Sequence, residues 1–340
     1  MKRNHFLDIS KGICALFITV THFAFSDATR LHLLFPFWID MAVPVFMLIS
    51  GYVATMSFRK QGVETIEQAY AWSSIVGKAV RFTVPFFMAW LVEYAYIAYA
   101  SGTLALPIPY LAVHFLQGGE GAGAYYYPLM MQFILVFPLI YFLIERQGFY
   151  GLVVTFIGTY VMEVLKIVYQ MGENTYCLLL FRYTFIIAVG VYLASSKYKP
   201  HTKIALGAFC AGILFLVATQ YLGVGTLCIN YWIKTSLFGC LYIAPMMGLG
   251  IRRLENLTFA PLELLGRASY NIFLVQKVYY SQAQRMYNLI PGERYDLLGT
   301  VVICVALGLV FYVIEQPITG AVRKWILGIM DRHPIPETWK

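Results

Sequence analysis

The stretch LDISKGICALFITVTHF, Leu7–Phe23, places an Asp, a Lys and a His in an otherwise apolar segment. Such a run predicts a membrane-spanning helix, which needs about 20 mainly apolar residues. Lys11 and His22 are eleven residues apart, so on an α-helix they are expected on one stripe, about 16 Å from each other. Asp8 lies about one turn before Lys11 on nearly the same face. The segment is therefore a predicted span that carries ionisable groups near its start and beyond its middle.

The composition of the whole chain also predicts a membrane protein. Of the 340 residues, 60% are hydrophobic and only 12% are charged, which excludes a soluble domain as the bulk of the chain. Because a helix satisfies its own backbone polar groups in lipid, the predicted fold class is all-α, a polytopic membrane helix bundle. About ten runs are long enough to be transmembrane helices, near 8–26, 36–57, 82–100, 127–145, 149–169, 179–195, 203–221, 229–250, 268–288 and 297–315.

Basic residues in the connections predict the orientation of the chain. They concentrate in alternate connections, which we expect on the cytosolic side together with both termini: Lys2, Arg3, Arg59, Lys60, Lys78, Arg81, Arg146, Lys197, Lys199, Lys203, Arg252, Arg253, Arg267, Arg323 and Lys324. The opposite connections include 101–127, which is rich in Gly, Pro and Tyr. The net charge of +8 fits an anionic membrane face and not nucleic acid, because no basic helix or aromatic-interleaved basic patch occurs.

The organisation along the chain predicts one membrane domain over 1–325 and a short cytosolic tail over 326–340, since no long linker or solenoid repeat interrupts it. The six cysteines show no CxxC or Cys/His spacing, so no metal site and no redox dithiol is indicated. A disulfide between Cys177 and Cys228 on the outer side is one alternative, and packing between helices is the favoured one.

Ionisable residues inside a membrane are costly, so they count as functional hypotheses. Asp8 and Lys11 also fit a second interpretation, an interfacial ion pair or snorkelling at the cytosolic side. For His22 the second interpretation is a histidine at the outer interface, and helical phasing does not decide between them. Further charges must pair in order to be tolerated, but the sequence does not assign the pairs; they are Glu93, Glu163, Lys166, Arg182, Lys277 and Glu315.

Several motifs follow one another along the chain. Lys11 and His22 enclose ten residues, DISKG contains the Lys of this spacing, and VPVFMLISGYVATMSFR occupies Val43–Arg59. Shorter segments follow later in the chain: KAVRFTVPFF, YYYPLMMQFILVFPLI, SYNIFLVQ and IEQP. In this order they resemble the acyltransferase-3 family, whose first helix carries a basic-x10-His signature and whose second carries a Phe-Phe-x-Ile-Ser-Gly-Tyr segment before a basic residue. One departure is Gln276, where many members have a His, so a second-histidine role does not carry over.

The resemblance implies an enzyme that moves an acyl group, usually acetyl from acetyl-CoA, to a hydroxyl of a sugar, polysaccharide or glycolipid. The donor phosphates need basic groups on the cytosolic side, where Lys11, Arg59, Lys78 and Arg81 are expected. Lys78 and Arg81 also fit plain positive-inside residues. Ser50 is a further candidate, because Gly51 beside it allows a close helix approach that narrows a donor channel; plain helix packing is the alternative.

The chemistry that the resemblance implies needs a base. His22 is the candidate general base for attack on the thioester, with Lys11 and Asp8 completing the predicted catalytic set, and an acyl-histidine intermediate is the other possibility. Candidates for the donor that stabilises the oxyanion are Ser50, Tyr270 and Gln276. Tyr126 and Tyr127 offer faces that could stack on a sugar, or they belong to an interfacial aromatic belt.

A rival function is a multispan transporter or flippase, since about ten helices with buried charges fit that class too. No inverted repeat or pair of broken helices is evident, and the ordered motifs favour the enzyme. The expected partners are acyl-CoA, a glycan or glycolipid acceptor and the lipid bilayer. The expected location is a bacterial inner membrane.

Overall fold

A computed structural model of the chain describes residues 4–102, 107–195, 202–224, 237–287 and 297–332. Within these ranges the regular structure is helical and no strand occurs, which confirms the all-α fold class. The helices are α1 His5–Thr21, α2 Asp27–His32, α3 Ala42–Lys60, α4 Ile66–Ala69, α5 Trp72–Ser101, α6 Ile108–Leu116, α7 Tyr126–Gln147, α8 Phe149–Val168, α9 Glu173–Cys177, α10 Thr184–Ala194, α11 Thr202–Leu216, α12 Ile243–Arg253, α13 Ala260–Arg267, α14 Ser269–Tyr287 and α15 Leu297–Arg332.

Six helical stretches in the described ranges are long and apolar enough to cross a membrane, and a shorter apolar stretch covers Leu180–Ala194. The six are Phe35–Lys60, Ile66–Ala100, Tyr126–Gln147, Phe149–Val168, Thr202–Tyr221 and Leu297–Met330. The chain is thus an integral multi-pass membrane protein. The count of about ten spans and the cytosolic termini stay predictions. So does the division at residue 325, although α15 continues past it to Arg332.

The chain divides into two compact units, and the division falls inside α7. Unit 1 contains Met1–Val63 and Leu139–Ser269, and unit 2 contains Glu64–Pro138 and Tyr270–Lys340. Unit 1 therefore holds the first predicted motif, in α1, and the second, in α3. Unit 2 holds α5, α6, the start of α7, α14 from its second residue, and α15.

Reciprocal glycine contacts join the helices of unit 1. Gly51 of α3 lies directly against the Ile187 carbonyl of α10, and Gly190 of α10 lies against the Leu48 carbonyl of α3. Small residues let helix backbones approach closely, which replaces the hydrophobic driving force that is missing between helices in lipid. The contact supports the packing interpretation of Gly51.

The same arrangement fixes α1 against α13. Gly12 of α1 lies against the Leu262 carbonyl, and Gly266 of α13 lies against the Asp8 carbonyl. Each glycine thus stands where a side chain would strike backbone of the other helix. The first predicted motif is held at backbone distance from α13, on the turns that carry Asp8 and Lys11.

In unit 2, α5 packs along α15. Gly308 of α15 lies against the Ile272 backbone of α14, where an added Cβ would come within 2.6 Å of its Cα atom. The start of α7 adds a set of stacked aromatic rings to the same unit. Within unit 2, α15 thus packs against both α5 and α14.

Replacing Gly190 by Ala tests the contact between α3 and α10. The added methyl group meets a backbone carbonyl that cannot rotate away, so we expect the free energy of unfolding to fall by about 1–3 kcal/mol. Gly158→Ala in α8 is the matched control, because a Cβ there meets nothing within 4 Å and Ala favours a helix by about 1 kcal/mol over Gly. Thermal unfolding of the purified protein measures both. A Gly190→Ala variant as stable as Gly158→Ala contradicts the contact.

Candidate active site

Asp8 and Lys11 form an ion pair on the first turns of α1. The Lys11 ammonium lies 2.7 Å from the Asp8 carboxylate, with the Asp8 side chain largely buried and the Lys11 side chain half-buried. A second pair lies nearby, because His5 Nδ1 is 3.0 Å from a carboxylate oxygen of Glu263 in α13. The charged groups at the start of α1 are thus held by neighbours in α1 and α13.

His22 stands at the other end of α1, where the helix stops. It is the C-cap residue with φ −88° and ψ −6°, directly after Thr21, and its side chain is half-buried. Helical geometry puts it about 16 Å along the axis from Lys11. The single continuous helix between these residues agrees with the predicted stripe.

Arg30 holds the chain around His22, and the sequence did not predict this role. Its guanidinium Nη2 donates to the carbonyl oxygens of Thr21 and Phe23, at 2.5 and 3.5 Å, on either side of His22. The last carbonyls of a helix have no partner in the helix, and a cation there is favourable. Arg30 is thus a positioning residue for the His22 backbone.

The two predicted residues of α3 differ in their surroundings. Ser50 is half-buried beside Gly51. Arg59 donates to the Glu145 carboxylate at 2.6 Å, to the Ala194 carbonyl at 2.7 Å and to the Ser195 hydroxyl at 3.2 Å. The guanidinium therefore joins the end of α3 to the end of α7 and caps α10. Within unit 1 the structure connects Asp8 to Lys11, whereas Arg59 belongs to this separate network.

The other predicted residues lie in unit 2. Lys78 is half-buried and Arg81 is exposed, three residues apart near the start of α5. Tyr270 donates its hydroxyl hydrogen to the Phe82 carbonyl at 3.1 Å. Gln276 is fully buried in α14. These four side chains lie on two helices of one unit.

Tyr126 and Tyr127 are buried in an aromatic cluster of unit 2. The Tyr127 ring stacks on Phe86 with centroids 3.9 Å apart, and its hydroxyl is 3.2 Å from that of Thr83. The Tyr126 ring packs on Phe273 at 4.7 Å. Both rings thus pack inside unit 2 and are not exposed on its surface. Their contact with a sugar stays a prediction.

A family model for an acyltransferase domain matches residues 4–314, nearly the whole chain. The chain belongs to the acyltransferase-3 family. The match contains every predicted site residue, from Asp8 to Gln276. A comparison with curated proteins gives no match, and neither does one with solved structures. Together with the apolar helices, the family makes this protein a membrane acyltransferase, and it favours the enzyme over a transporter.

The acyltransferase has a buried ion pair in unit 2 whose partners the sequence did not assign. The Lys277 ammonium of α14 lies 2.6 Å from the Glu93 carboxylate of α5, and the two side chains are 3% and 0% exposed. The other carboxylate oxygen of Glu93 accepts the backbone N–H of Glu120 at 2.9 Å. Opposite charges 184 residues apart in sequence thus meet, and together they connect the loop after α6 to α5 and α14.

That loop is built from glycines. Gly118, Gly119, Gly121 and Gly123 all have φ between +82° and +89°, a conformation that a side chain disfavours. Gly119 lies directly against the ends of Glu93 and Lys277, and Gly123 against the Phe273 ring. The Gly-rich segment that the sequence marked as an outer connection is therefore a tightly fitted loop of the acyltransferase.

The remaining charges of the acyltransferase also have contacts. Glu163 accepts the Leu237 N–H at 2.7 Å, and Thr319 donates to Glu315 at 2.5 Å. Arg182 donates to the Cys177 sulfur at 2.9 Å and lies over the rings of Tyr176 and Tyr183. The disulfide alternative involves Cys228, which lies outside the described residues. In the described ranges no three His, Cys, Asp or Glu residues form a group that could hold a metal ion.

The pair in unit 2 gives a test by substitution. Lys277→Met leaves the Glu93 carboxylate buried without its cation, so we expect the free energy of unfolding to fall by about 3–5 kcal/mol. The double variant Glu93→Gln with Lys277→Met removes both charges and keeps an acceptor for the Glu120 N–H. We expect it to recover most of the loss in thermal unfolding of the purified protein. A double variant as unstable as the single one argues against the charge as the cause.

Proposed function

We propose that this membrane acyltransferase moves an acyl group, acetyl by default, from cytosolic acyl-CoA to a hydroxyl of a sugar, polysaccharide or glycolipid at a bacterial inner membrane. The observation that supports the proposal is the placement of Asp8, Lys11 and His22 along α1. This helix of the family domain bears the Asp8–Lys11 pair near its start, and His22 follows directly after its last residue. A thioester on the pantetheine arm of a donor bound at the cytosolic end would have an apolar helix wall to follow toward the imidazole.

His22 serves as the general base. Its ring nitrogen takes the proton of the acceptor hydroxyl as the oxygen attacks the thioester carbonyl carbon, and neutral imidazole is the side chain suited to this step near neutral pH. The carbon–sulfur bond then breaks, and the CoA sulfur leaves with the proton that His22 returns. The oxygen–carbon bond formed is the ester of the product. The backbone contacts of Arg30 support this role, because they fix the residue on which the transfer depends.

The donor phosphates take cationic partners. Lys11 supplies a point charge that Asp8 holds in place, and the basic residues Arg59, Lys78 and Arg81 are the further candidates. Arg59 is the most constrained of them, since its guanidinium already binds Glu145 and two oxygens of the 194–195 segment. For the developing oxyanion, Ser50, Tyr270 and Gln276 remain the candidate donors.

His22→Ala tests the base. We expect acyl transfer from radiolabelled acetyl-CoA to native membrane glycans to fall by about 10²- to 10⁴-fold, because a positioned base contributes that much to a rate. His32→Ala is the matched control, since this histidine is exposed on α2 ten residues later and should leave the rate unchanged. Full activity in His22→Ala would sink the assignment. Radiolabel retained covalently on wild-type protein but not on His22→Ala would mark an acyl-histidine intermediate.

Lys11→Gln tests the donor site. Removing a charged hydrogen-bond donor should raise the KM for acetyl-CoA about tenfold while kcat changes little, because the acyl group itself is remote from Lys11. Lys60→Gln is the control, as Lys60 is exposed at the end of α3 on the same predicted side. The measurement is initial rate against donor concentration in purified protein. An unchanged KM in Lys11→Gln removes Lys11 from the donor site.

A further inference from the structure

His114 of α6 has a ring nitrogen whose proton is fixed by a neighbour. The indole Nε1–H of Trp90 donates to His114 Nδ1 at 2.8 Å, with both residues buried. An indole nitrogen only donates, so Nδ1 is the acceptor and the ring proton lies on Nε2. His114 therefore offers an N–H and not a lone pair at Nε2, which makes it a donor toward an oxygen and unsuited to act as a base.

That N–H has no hydrogen-bond partner among the described residues, although the nitrogen is buried. The nearest carboxylate oxygen, Glu120 Oε1, is 3.8 Å away, beyond hydrogen-bond distance. A buried donor without a partner is unfavourable by about 1–3 kcal/mol. A ligand oxygen that accepts from His114 Nε2–H would remove this penalty.

Glu120 brings an acceptor to the same place. Its side chain is 39% exposed, and its backbone N–H is held by the buried Glu93 carboxylate. The Glu93–Lys277 pair is thus a positioning device for Glu120. Gly119 permits it, since the pair lies against the Gly119 Cα where a side chain would otherwise stand.

Tyr110 completes the cluster with an aromatic face. Its ring stacks on the His114 ring with centroids 5.7 Å apart and 21° between planes, and its hydroxyl lies 3.4 Å from Glu120 Oε1. It is 44% exposed. Tyr110 and His114, one turn apart on α6, thus present a ring face and an N–H donor. The Glu120 carboxylate, from the loop after α6, lies near both.

We propose that Tyr110, His114 and Glu120 form a recognition site for a hydroxyl-bearing sugar ring. A hydroxyl group both accepts and donates one hydrogen bond at a single oxygen. An oxygen placed off the line between His114 Nε2 and Glu120 Oε1 reaches both at ordinary hydrogen-bond distance, after a small shift of the exposed Glu120 side chain. The Tyr110 ring offers an apolar surface to the carbon face of the sugar. The site rests on the proposed function for its role, which is to select the acceptor.

Two sources can supply such a ring, a soluble glycan or the head group of a glycolipid. Exposed apolar residues surround the cluster on α6, namely Ile108, Val113 and Leu116, and a surface of this kind suits lipid. The hydroxyl chemistry at His114 and Glu120 is the same for both sources.

The test measures sugar binding without any acyl donor. Saturation-transfer NMR on the full chain in lipid nanodiscs, free of sugar-headed detergent, uses methyl glucoside, methyl galactoside and methyl mannoside as probes. We expect ring-proton saturation for at least one probe and none for 2-methoxytetrahydropyran, which has the ring but no hydroxyl. Binding should weaken about tenfold in Glu120→Ala, since that change removes a charged acceptor.

Matched variants separate recognition from folding. Glu120→Ala keeps the backbone N–H that anchors the loop, and Tyr110→Leu removes only the ring face. Tyr99→Ala, an exposed tyrosine of α5, and Glu64→Gln, an exposed carboxylate outside the cluster, should bind like wild type. The proposal is overturned if no probe is saturated by the wild-type protein. It is also overturned if Glu120→Ala and Tyr110→Leu both give the same saturation as wild type.

A second arm distinguishes the two sources and the two proposals. Nanodiscs containing monogalactosyl diacylglycerol that suppress the methyl glycoside signal assign the site to a membrane glycolipid, and unchanged signal assigns it to soluble glycans. Sugar binding that depends on Glu120, in a protein that shows no acyl transfer, would refute the proposed acyl transfer and support the recognition site. If the protein transfers the acyl group and Glu120→Ala leaves the KM for the acceptor unchanged, the recognition site is refuted and the proposed acyl transfer is supported.

Discussion

A charged side chain within a membrane protein needs an opposite charge or a full set of hydrogen bonds, and this constraint organises the acyltransferase. Lys277 and Glu93 are nearly inaccessible, so either one alone would be a buried charge without compensation, at a penalty of several kcal/mol. Their pairing has a consequence beyond neutralisation. The carboxylate has a second oxygen, and it accepts the Glu120 N–H. The Lys277–Glu93 pair therefore also fixes the position of the loop after α6.

Arg59 follows the same logic in unit 1. An arginine at the end of a span is expected from the positive-inside rule, yet this guanidinium is shared between Glu145 and the carbonyl that ends α10. A motif position that suggests ligand binding can therefore be required for helix packing as well. Substitution of Arg59 would mix the two effects. Lys11 is the cleaner probe of the proposed donor site because Asp8, with which it forms an ion pair, lies on the same helix.

The sequence predicted much of the helical fold and a smaller part of the site. Apolar length and motif order suffice for the all-α class and the family, because both are local properties of the chain. The Lys11 to His22 spacing was also predictable, because α1 is continuous from Lys11 to Thr21 and His22 follows directly. The partner of Glu93 was not, since α14 follows it by almost two hundred positions and only folding brings Lys277 beside it. Arg30 was missed for another reason: its target is backbone, and carbonyl groups have no sequence signature.

The histidines of the two units differ in what their neighbours leave them able to do. Beside His22, the two hydrogen bonds of Arg30 go to backbone carbonyl oxygens and not to a ring nitrogen. Trp90 does the opposite at His114, where it occupies the one lone pair of the neutral ring. A proton on Nε2 then makes that ring a permanent donor. A neutral imidazole has one acceptor nitrogen and one N–H. A single hydrogen bond from a residue that can only donate therefore occupies the acceptor nitrogen, and the ring can then only donate. His114 therefore suits the binding of a hydroxyl oxygen, whereas His22 is the proposed base.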